Sequence, residues 1–198
     1  MVLEIIVWVD CCFIIMQLDI KEQSLILEGK KYSRKELMSL SANATGDNTS
    51  SFLLDLYRFL ADWFSDSPFM TVHTSGSTGT PKVLTVRKEQ MMQSARMTCE
   101  FLNLHTGDTA LLCMPLQYIA GKMMVVRALV AGLNLILRTP SGHPLADVTV
   151  PLRFVAMVPL QVFNTLQVLR EKERLCHTDI LIIGGGAIDA ALENEIRL

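Results

Sequence analysis

Nine consecutive residues combine the groups that bind phosphate: hydroxyls, glycines and one ammonium. Gly76 and Gly79 permit positive φ and close backbone approach, so successive N–H groups can turn inward around an anion. The hydroxyls add short rotatable donors, and Lys82 adds a mobile positive charge. The run is Thr74, Ser75, Gly76, Ser77, Thr78, Gly79, Thr80, Pro81 and Lys82. It predicts a loop that holds phosphate.

The order of residues in this loop differs from the P-loop pattern G-x-x-x-x-G-K-[ST], which leads directly into a helix. Pro81 separates the second glycine from Lys82, and residues 83–86 are rich in β-branched side chains, which favours a strand. Residues 69–73 are also strand-like. We therefore predict strand, phosphate loop, strand; a helix beginning at Lys82 would instead indicate a P-loop NTPase. A Ser/Gly-rich hairpin turn without a ligand is the structural alternative.

The loop resembles the nucleotide-phosphate signature of the adenylate-forming superfamily, which includes acyl-CoA synthetases, adenylation domains of peptide synthetases, and luciferases. A second block, M-P-L-Q-Y-I-A-G at residues 114–121, is followed by R-A-L-V-A-G at residues 127–132. This block is similar to the P-L-F-H-x-S-G and R-x-L-x-x-G segments of o-succinylbenzoate-CoA ligases of menaquinone biosynthesis. The resemblance covers residues 25–198 and about half of a family enzyme.

The resemblance implies an enzyme that joins a carboxylate to the α-phosphate of ATP, releases pyrophosphate and passes the acyl group to CoA, with Mg2+ as the metal. Positioning and electrostatics do most of this work. Residues 74–82 would hold the triphosphate, with Lys82 as the catalytic residue. The glycine turn after the last predicted strand, Gly184, Gly185 and Gly186, would contact the nucleoside.

Three further residues are assigned to the acyl substrate by the resemblance: Tyr118, Gly121 and Arg127. Tyr118 stands where the family usually has His or another aromatic residue, and a phenol cannot carry the charge of an imidazolium. Arg127 lies in an almost wholly apolar segment, residues 123–130. An unpaired guanidinium there would cost several kcal/mol, so Arg127 needs an anion, a solvated head group or an acidic partner. Because o-succinylbenzoate has two carboxylates and only one is activated, we expect Arg127 to bind the other.

The composition indicates a soluble globular protein with a small-molecule partner. The chain has 198 residues, of which 50% are hydrophobic and 19% charged, enough to bury a real core. A net charge of −2 and the absence of any Lys/Arg run argue against a nucleic-acid or membrane-surface partner. Five cysteines without metal-ligand spacing predict buried free thiols in a reducing cytoplasm and no metal site.

Strands alternate with helices along the chain, which predicts an α/β fold with a mainly parallel sheet flanked by helices. In such sheets, ligands lie beyond the carboxyl ends of the strands. A helix capped at Ser33, with Glu36 completing a capping box, follows a first strand and the turn at Gly29. Predicted strands cover residues 25–27, 69–73, 83–86, 109–114, 133–137, 154–158 and 180–183. Further predicted helices cover residues 52–60, 88–104, 121–130 and 159–170.

The predicted organisation is a segment of uncertain role, residues 1–24, followed by part of a nucleotide-binding N-terminal domain, residues 25–198. Enzymes of the resembling family continue into a T-E dipeptide that binds magnesium, an Asp that holds the ribose, and a C-terminal domain bearing a catalytic lysine. None of these follows Leu198, so we expect the chain alone to be inactive. The alternatives are a non-catalytic nucleotide-binding module and a ligase for another aryl or acyl carboxylate.

Overall fold

The computed structural model describes residues 19–44, 49–73 and 83–196. Within these ranges the chain forms eight strands and seven α-helices. The strands are β1 (Ser24–Leu27), β2 (Lys30–Ser33), β3 (Phe69–His73), β4 (Val83–Arg87), β5 (Thr109–Leu112), β6 (Asn134–Leu137), β7 (Phe154–Met157) and β8 (Ile180–Ile183). The helices are α1 (Arg34–Asn43), α2 (Ser51–Trp63), α3 (Lys88–Phe101), α4 (Ile119–Ala131), α5 (Pro159–Leu166), α6 (Leu169–Cys176) and α7 (Ala190–Ile196). In the described ranges, no helix combines the length and the apolar character needed to cross a membrane.

Six strands form the main sheet in the order β2-β1-β6-β5-β7-β8. All neighbours in it are parallel except β1 and β2, which confirms the prediction of a mainly parallel sheet. Strand β2 was not predicted. It forms because Glu28 and Gly29 both adopt positive φ, 48° and 82°, and make a two-residue turn that pairs Leu27 with Lys30.

The core lies on both faces of the sheet, as expected when helices flank parallel strands. Alternate residues of β7 contribute to opposite faces: Phe154 and Ala156 join one cluster, and Val155 and Met157 join the other. The first cluster also contains the apolar sides of α2, α3 and α4. The second contains Val162 of α5. Helices therefore cover the two faces, which confirms the predicted layers.

The predicted start of α1 is confirmed. The Glu36 amide donates to the Ser33 hydroxyl at 3.4 Å, and the Ser33 amide donates to the Glu36 carboxylate at 2.8 Å. These two bonds satisfy amides that the first turn of a helix leaves free. Gly132, with φ of 68°, ends α4 in the left-handed conformation that favours glycine at this position.

The single helix predicted for residues 159–170 was wrong. Pro159 begins a helix as expected, but α5 ends at Leu166 and α6 begins at Leu169. Val168 between them has extended backbone, with φ of −114° and ψ of 111°. After this break, the buried Glu171 carboxylate of α6 lies 3.0 Å from Nδ1 of the His143 ring, a contact that a continuous helical period does not reveal.

Two of the five cysteines are buried as predicted, and one is not. Cys99 and Cys113 lie in the core, where burial raises the thiol pKa to about 11 and about 12, respectively. Cys176, the last residue of α6, is exposed, because the helix turns this end toward solvent. Cys11 and Cys12 lie outside the described residues.

Candidate functional site

The predicted phosphate loop lies between two strands that pair with each other. Strands β3 and β4 form an antiparallel hairpin in which His73 is opposite Val83, so the two ends of the loop are adjacent. This confirms the two predicted strands on either side of residues 74–82. The chain continues from Val83 as a strand rather than a helix, which contradicts the P-loop alternative. The predicted phosphate-binding residues, including Lys82, lie outside the described residues.

The hairpin meets the main sheet at the block that was assigned to the acyl substrate. His73 forms a parallel β-bridge with Tyr118. Tyr118 is half-buried, directly precedes α4, and follows the segment that leaves the carboxyl end of β5. The residue that precedes the predicted phosphate loop therefore lies next to Tyr118, at the sheet edge where ligands bind in folds of this kind.

Gly121 is required by close packing at the start of α4. A β-carbon on this residue would lie 2.9 Å from the Met114 carbonyl oxygen and closer still to that of Pro115. The Pro115 carbonyl also accepts the Tyr118 amide at 3.3 Å, so the turn and the helix are packed backbone to backbone. Gly121 thus holds Tyr118 in place, whereas its contact with an acyl substrate remains a prediction.

The glycine turn lies at the same edge of the sheet. The Gly184 amide donates to the Met157 carbonyl at 3.0 Å, Gly185 has φ of 82°, and Gly186 lies against the Pro159 ring. All three glycines are exposed. Since β7 alone separates β5 from β8, the turn and the Tyr118 segment leave strands about 10 Å apart.

Arg127 is half-buried on α4 and has no carboxylate within ion-pair distance among the described residues. Its Nη1 donates only to the Met124 sulfur, a weak acceptor, at 3.7 Å. Its buried Nε has no hydrogen-bond partner in the described part of the chain. The guanidinium lies 6.0 Å from the centre of the Phe154 ring, and burial lowers the pKa of Arg127.

Arg127 does not lie with the other predicted site residues at the sheet edge. It follows Tyr118 by nine positions along α4, a separation of about 13 Å. Side chains on a helix lean toward its amino end, and the contact with Met124 shows Arg127 leaning that way. An acyl group that reached both residues would extend inward along α4 from the edge.

Two polar residues of the site were not predicted, Lys122 and Gln161. The Lys122 ammonium donates to the Thr71 carbonyl of β3 at 2.6 Å. The Gln161 side chain donates to the Cys113 and Ser141 carbonyls and accepts the Val158 amide, and so ties the segments that follow β5, β6 and β7. Lys122 stands out in sequence as one of two charges in the apolar run of α4; Gln161 carries no such signal.

Comparisons with known proteins agree with this geometry. A family model described as AMP-binding enzyme matches residues 9–197. The 2-succinylbenzoate-CoA ligase of Haemophilus influenzae is 28% identical over 134 residues, which are 68% of this chain and 28% of that protein. This chain therefore spans less than a third of that curated relative.

Solved structures show the same fold. An acyl-CoA synthetase (AMP-forming)/AMP-acid ligase II-like protein from Dyadobacter fermentans is 32% identical, with a TM-score of 0.69 over 80% of this chain and 45% of that protein. ATP-bound MatB from Rhodopseudomonas palustris is 21% identical, with a TM-score of 0.51 over 63% of this chain and 25% of that protein. The family match covers nearly the whole sequence. The chain therefore belongs to the AMP-binding enzyme family and has the fold of the N-terminal domain of adenylate-forming ligases, in part.

Proposed function

We propose that this chain forms the ATP-binding part of a cytoplasmic acid-CoA ligase that adenylates o-succinylbenzoate in menaquinone biosynthesis. In the first step, a carboxylate oxygen attacks the α-phosphorus of ATP and pyrophosphate leaves. In the second, the CoA thiol attacks the acyl carbon, the acyl–phosphate bond breaks and AMP leaves. In each step the protein contributes mainly by aligning the attacking atom with the atom it attacks and by stabilising charge, rather than by forming a covalent bond itself.

The observation that carries this proposal is the bridge between His73 and Tyr118. It brings His73, the residue before the phosphate loop, to the start of α4, and the glycine turn lies at the same sheet edge. In the proposal, residues 74–82 hold the triphosphate, Gly184, Gly185 and Gly186 line the nucleoside, and Tyr118 flanks the reacting carboxylate. Lys82 neutralises charge that builds on the phosphates.

Mg2+ enters the proposal as the counterion of ATP. Among the residues that the structure describes, no group of three or more His, Cys, Asp or Glu side chains could hold a metal ion. In the proposal, the metal arrives with the nucleotide.

Arg127 supports the choice of acyl substrate. A half-buried guanidinium with an unpartnered Nε costs free energy unless an anion compensates for lost hydration. The second carboxylate of o-succinylbenzoate would supply that anion at a distance from the carboxylate that reacts. The identity to the Haemophilus influenzae 2-succinylbenzoate-CoA ligase supports the same substrate.

Calorimetric titration of the purified chain tests the proposal. MgATP should bind, and o-succinylbenzoate should bind at least ~10-fold more tightly than 4-oxo-4-phenylbutanoate, which has the same skeleton but lacks the ring carboxylate; this ratio equals about 1.4 kcal/mol. Equal affinity for the two acids would overturn the substrate and point to another carboxylate. A chain that takes up no MgATP at millimolar concentration would overturn the nucleotide site.

A further inference from the structure

The hairpin that carries the phosphate loop depends on contacts with helices. Strands β3 and β4 form a two-stranded sheet separate from the main sheet. A lone two-stranded hairpin is at best marginally stable in water. One face of it is apolar: Met70 and Val72 are buried in the core. Apolar packing is non-directional, so polar contacts must fix the orientation of the strands.

The base of the hairpin is held by Lys88, the first residue of α3. Its amide donates to the Pro68 carbonyl at 2.9 Å. Its ammonium donates to the Ser65 carbonyl at 2.9 Å and to the Ser65 hydroxyl at 3.2 Å. Lys88 is only 2% exposed, so this end of the hairpin is fixed by a buried cation.

Nearer the loop, the corresponding contact comes from Lys122 on the first turn of α4. Its ammonium donates to the Thr71 carbonyl at 2.6 Å, a short bond of the charge-assisted kind. Burial lowers the pKa of Lys122, and the negative charge of Asp62 opposes that effect. Asp62 acts on Lys88 in the same direction. One carboxylate thus favours the charged form of both lysines.

We propose that Lys122 is a positioning residue that fixes β3 against α4 and so sets where the phosphate loop begins relative to Tyr118. The importance of this role for ATP rests on the proposed function. Thr71 lies two residues, about 7 Å, before the end of β3. The other described polar link between β3 and the α4 segment is the His73–Tyr118 bridge. Without Lys122, the hairpin can pivot on the base that Lys88 holds.

Hydrogen exchange of the nucleotide-free chain, followed by mass spectrometry, tests this role. In Lys122→Met, amides of β3 and β4 should exchange at least ~10-fold faster, while those of β5 and β6 keep their parent rates. Lys122→Arg retains the charge and the donors and should restore part of the protection. Thr71→Ala is a matched control, because it removes an exposed side chain and leaves the acceptor carbonyl in place.

Parent-like exchange in the hairpin of Lys122→Met would overturn the proposal, as would an equal rise in β5 and β6, which indicates general destabilisation. The MgATP dissociation constant should rise in Lys122→Met and recover in Lys122→Arg. An unchanged dissociation constant with a loosened hairpin would also overturn the positioning role. Because exchange is measured without nucleotide, a parent chain that fails to bind MgATP would count against the proposed function and not against the contact with Thr71.

Discussion

The guanidinium of Arg127 has no carboxylate partner among the described residues and contacts Met124 and Phe154 instead. Replacing such a group with an apolar side chain of similar size is often neutral or stabilising. We therefore expect Arg127→Leu to keep or raise the melting temperature while weakening o-succinylbenzoate binding at least ~10-fold, or about 1.4 kcal/mol. MgATP affinity should stay within twofold, and calorimetry with thermal melting measures all three.

The matched control for this substitution is Arg58→Leu, which removes a charge that lies exposed on α2 in a pair with Asp55. It should change neither ligand's affinity, since an exposed ion pair contributes little. Loss of both ligands to the same extent in Arg127→Leu, or a collapse of its melting temperature, would make Arg127 a structural residue and leave the acyl substrate unassigned.

Substitution of Lys82 tests the proposed triphosphate site, because binding there depends on the positive charge of this side chain. We expect Lys82→Ala to raise the MgATP dissociation constant at least ~10-fold, since each charge-assisted bond to phosphate contributes about 1.5–3 kcal/mol. Lys35→Ala, at an exposed position of α1, is the control and should bind MgATP like the parent. Parent-like affinity in Lys82→Ala would remove the loop as the basis of the proposed function.

Single residues differ in how well the sequence predicts their surroundings. The apolar residues beside Arg127 in the chain predict that its guanidinium loses hydration and needs an anion, an acidic partner or access to solvent; no acidic partner lies among the described residues. The acceptor of Lys122 is a backbone carbonyl 51 residues earlier. Every residue has such a carbonyl, so the sequence does not indicate which one Lys122 contacts. Contacts of this second kind appear only once the strands are placed.

At the scale of elements, the packing of α4 depends on Gly121. Alanine in a helix usually stabilises by up to ~1 kcal/mol relative to glycine, but here its β-carbon would meet two backbone carbonyls. We expect Gly121→Ala to lower the free energy of unfolding by about 1–3 kcal/mol, as overpacking does, in a urea titration. Gly184→Ala is the control: its β-carbon meets nothing within 4 Å, so its stability should stay within ~0.5 kcal/mol. A stabilised Gly121→Ala would contradict the close approach.

The ends of helices could be predicted from sequence where a capping residue sets them, and not elsewhere. Ser33 and Glu36 indicate the start of α1 because they bond to backbone amides within the same turn. Gly132 indicates the end of α4 because it adopts positive φ there. Strand β2 and the break between α5 and α6 depend on partners: Leu27 opposite Lys30, and His143 beside Glu171. The alternation of strands and helices still predicted the parallel sheet. Its central strands are buried on both faces and contain apolar runs, so they can be recognised without knowing how they pair.

At the scale of the whole molecule, the order of strands brings together segments that are distant in sequence. The prediction that the phosphate loop, Tyr118 and the glycine turn share one site came from the rule that ligands bind at carboxyl strand ends, together with the family resemblance; the structure places Tyr118, the glycine turn and His73 at one sheet edge. The offset of Arg127 by about 13 Å along α4 could not be predicted, since it requires the direction of the helix relative to the sheet. If the proposed function holds, we therefore expect the acyl group to extend along α4 from the sheet edge.

We expect the 198-residue chain by itself to bind nucleotide without catalysing adenylation. This chain spans 28%, 45% and 25% of the three relatives described above. In the described residues, no cluster of three carboxylate, His or Cys side chains offers a metal site. In the proposed function, binding of MgATP uses the loop and the turn, whereas alignment and charge neutralisation supply most of the acceleration in phosphoryl chemistry and need more groups. With MgATP, CoA and o-succinylbenzoate, we expect the purified chain to bind nucleotide but release no pyrophosphate above the rate without protein, in a coupled phosphate assay. Release at about 1 s⁻¹ or faster, within the ordinary range of enzymes, that Lys82→Ala abolishes would show that these residues suffice for adenylation and that the catalytic groups lie within this chain.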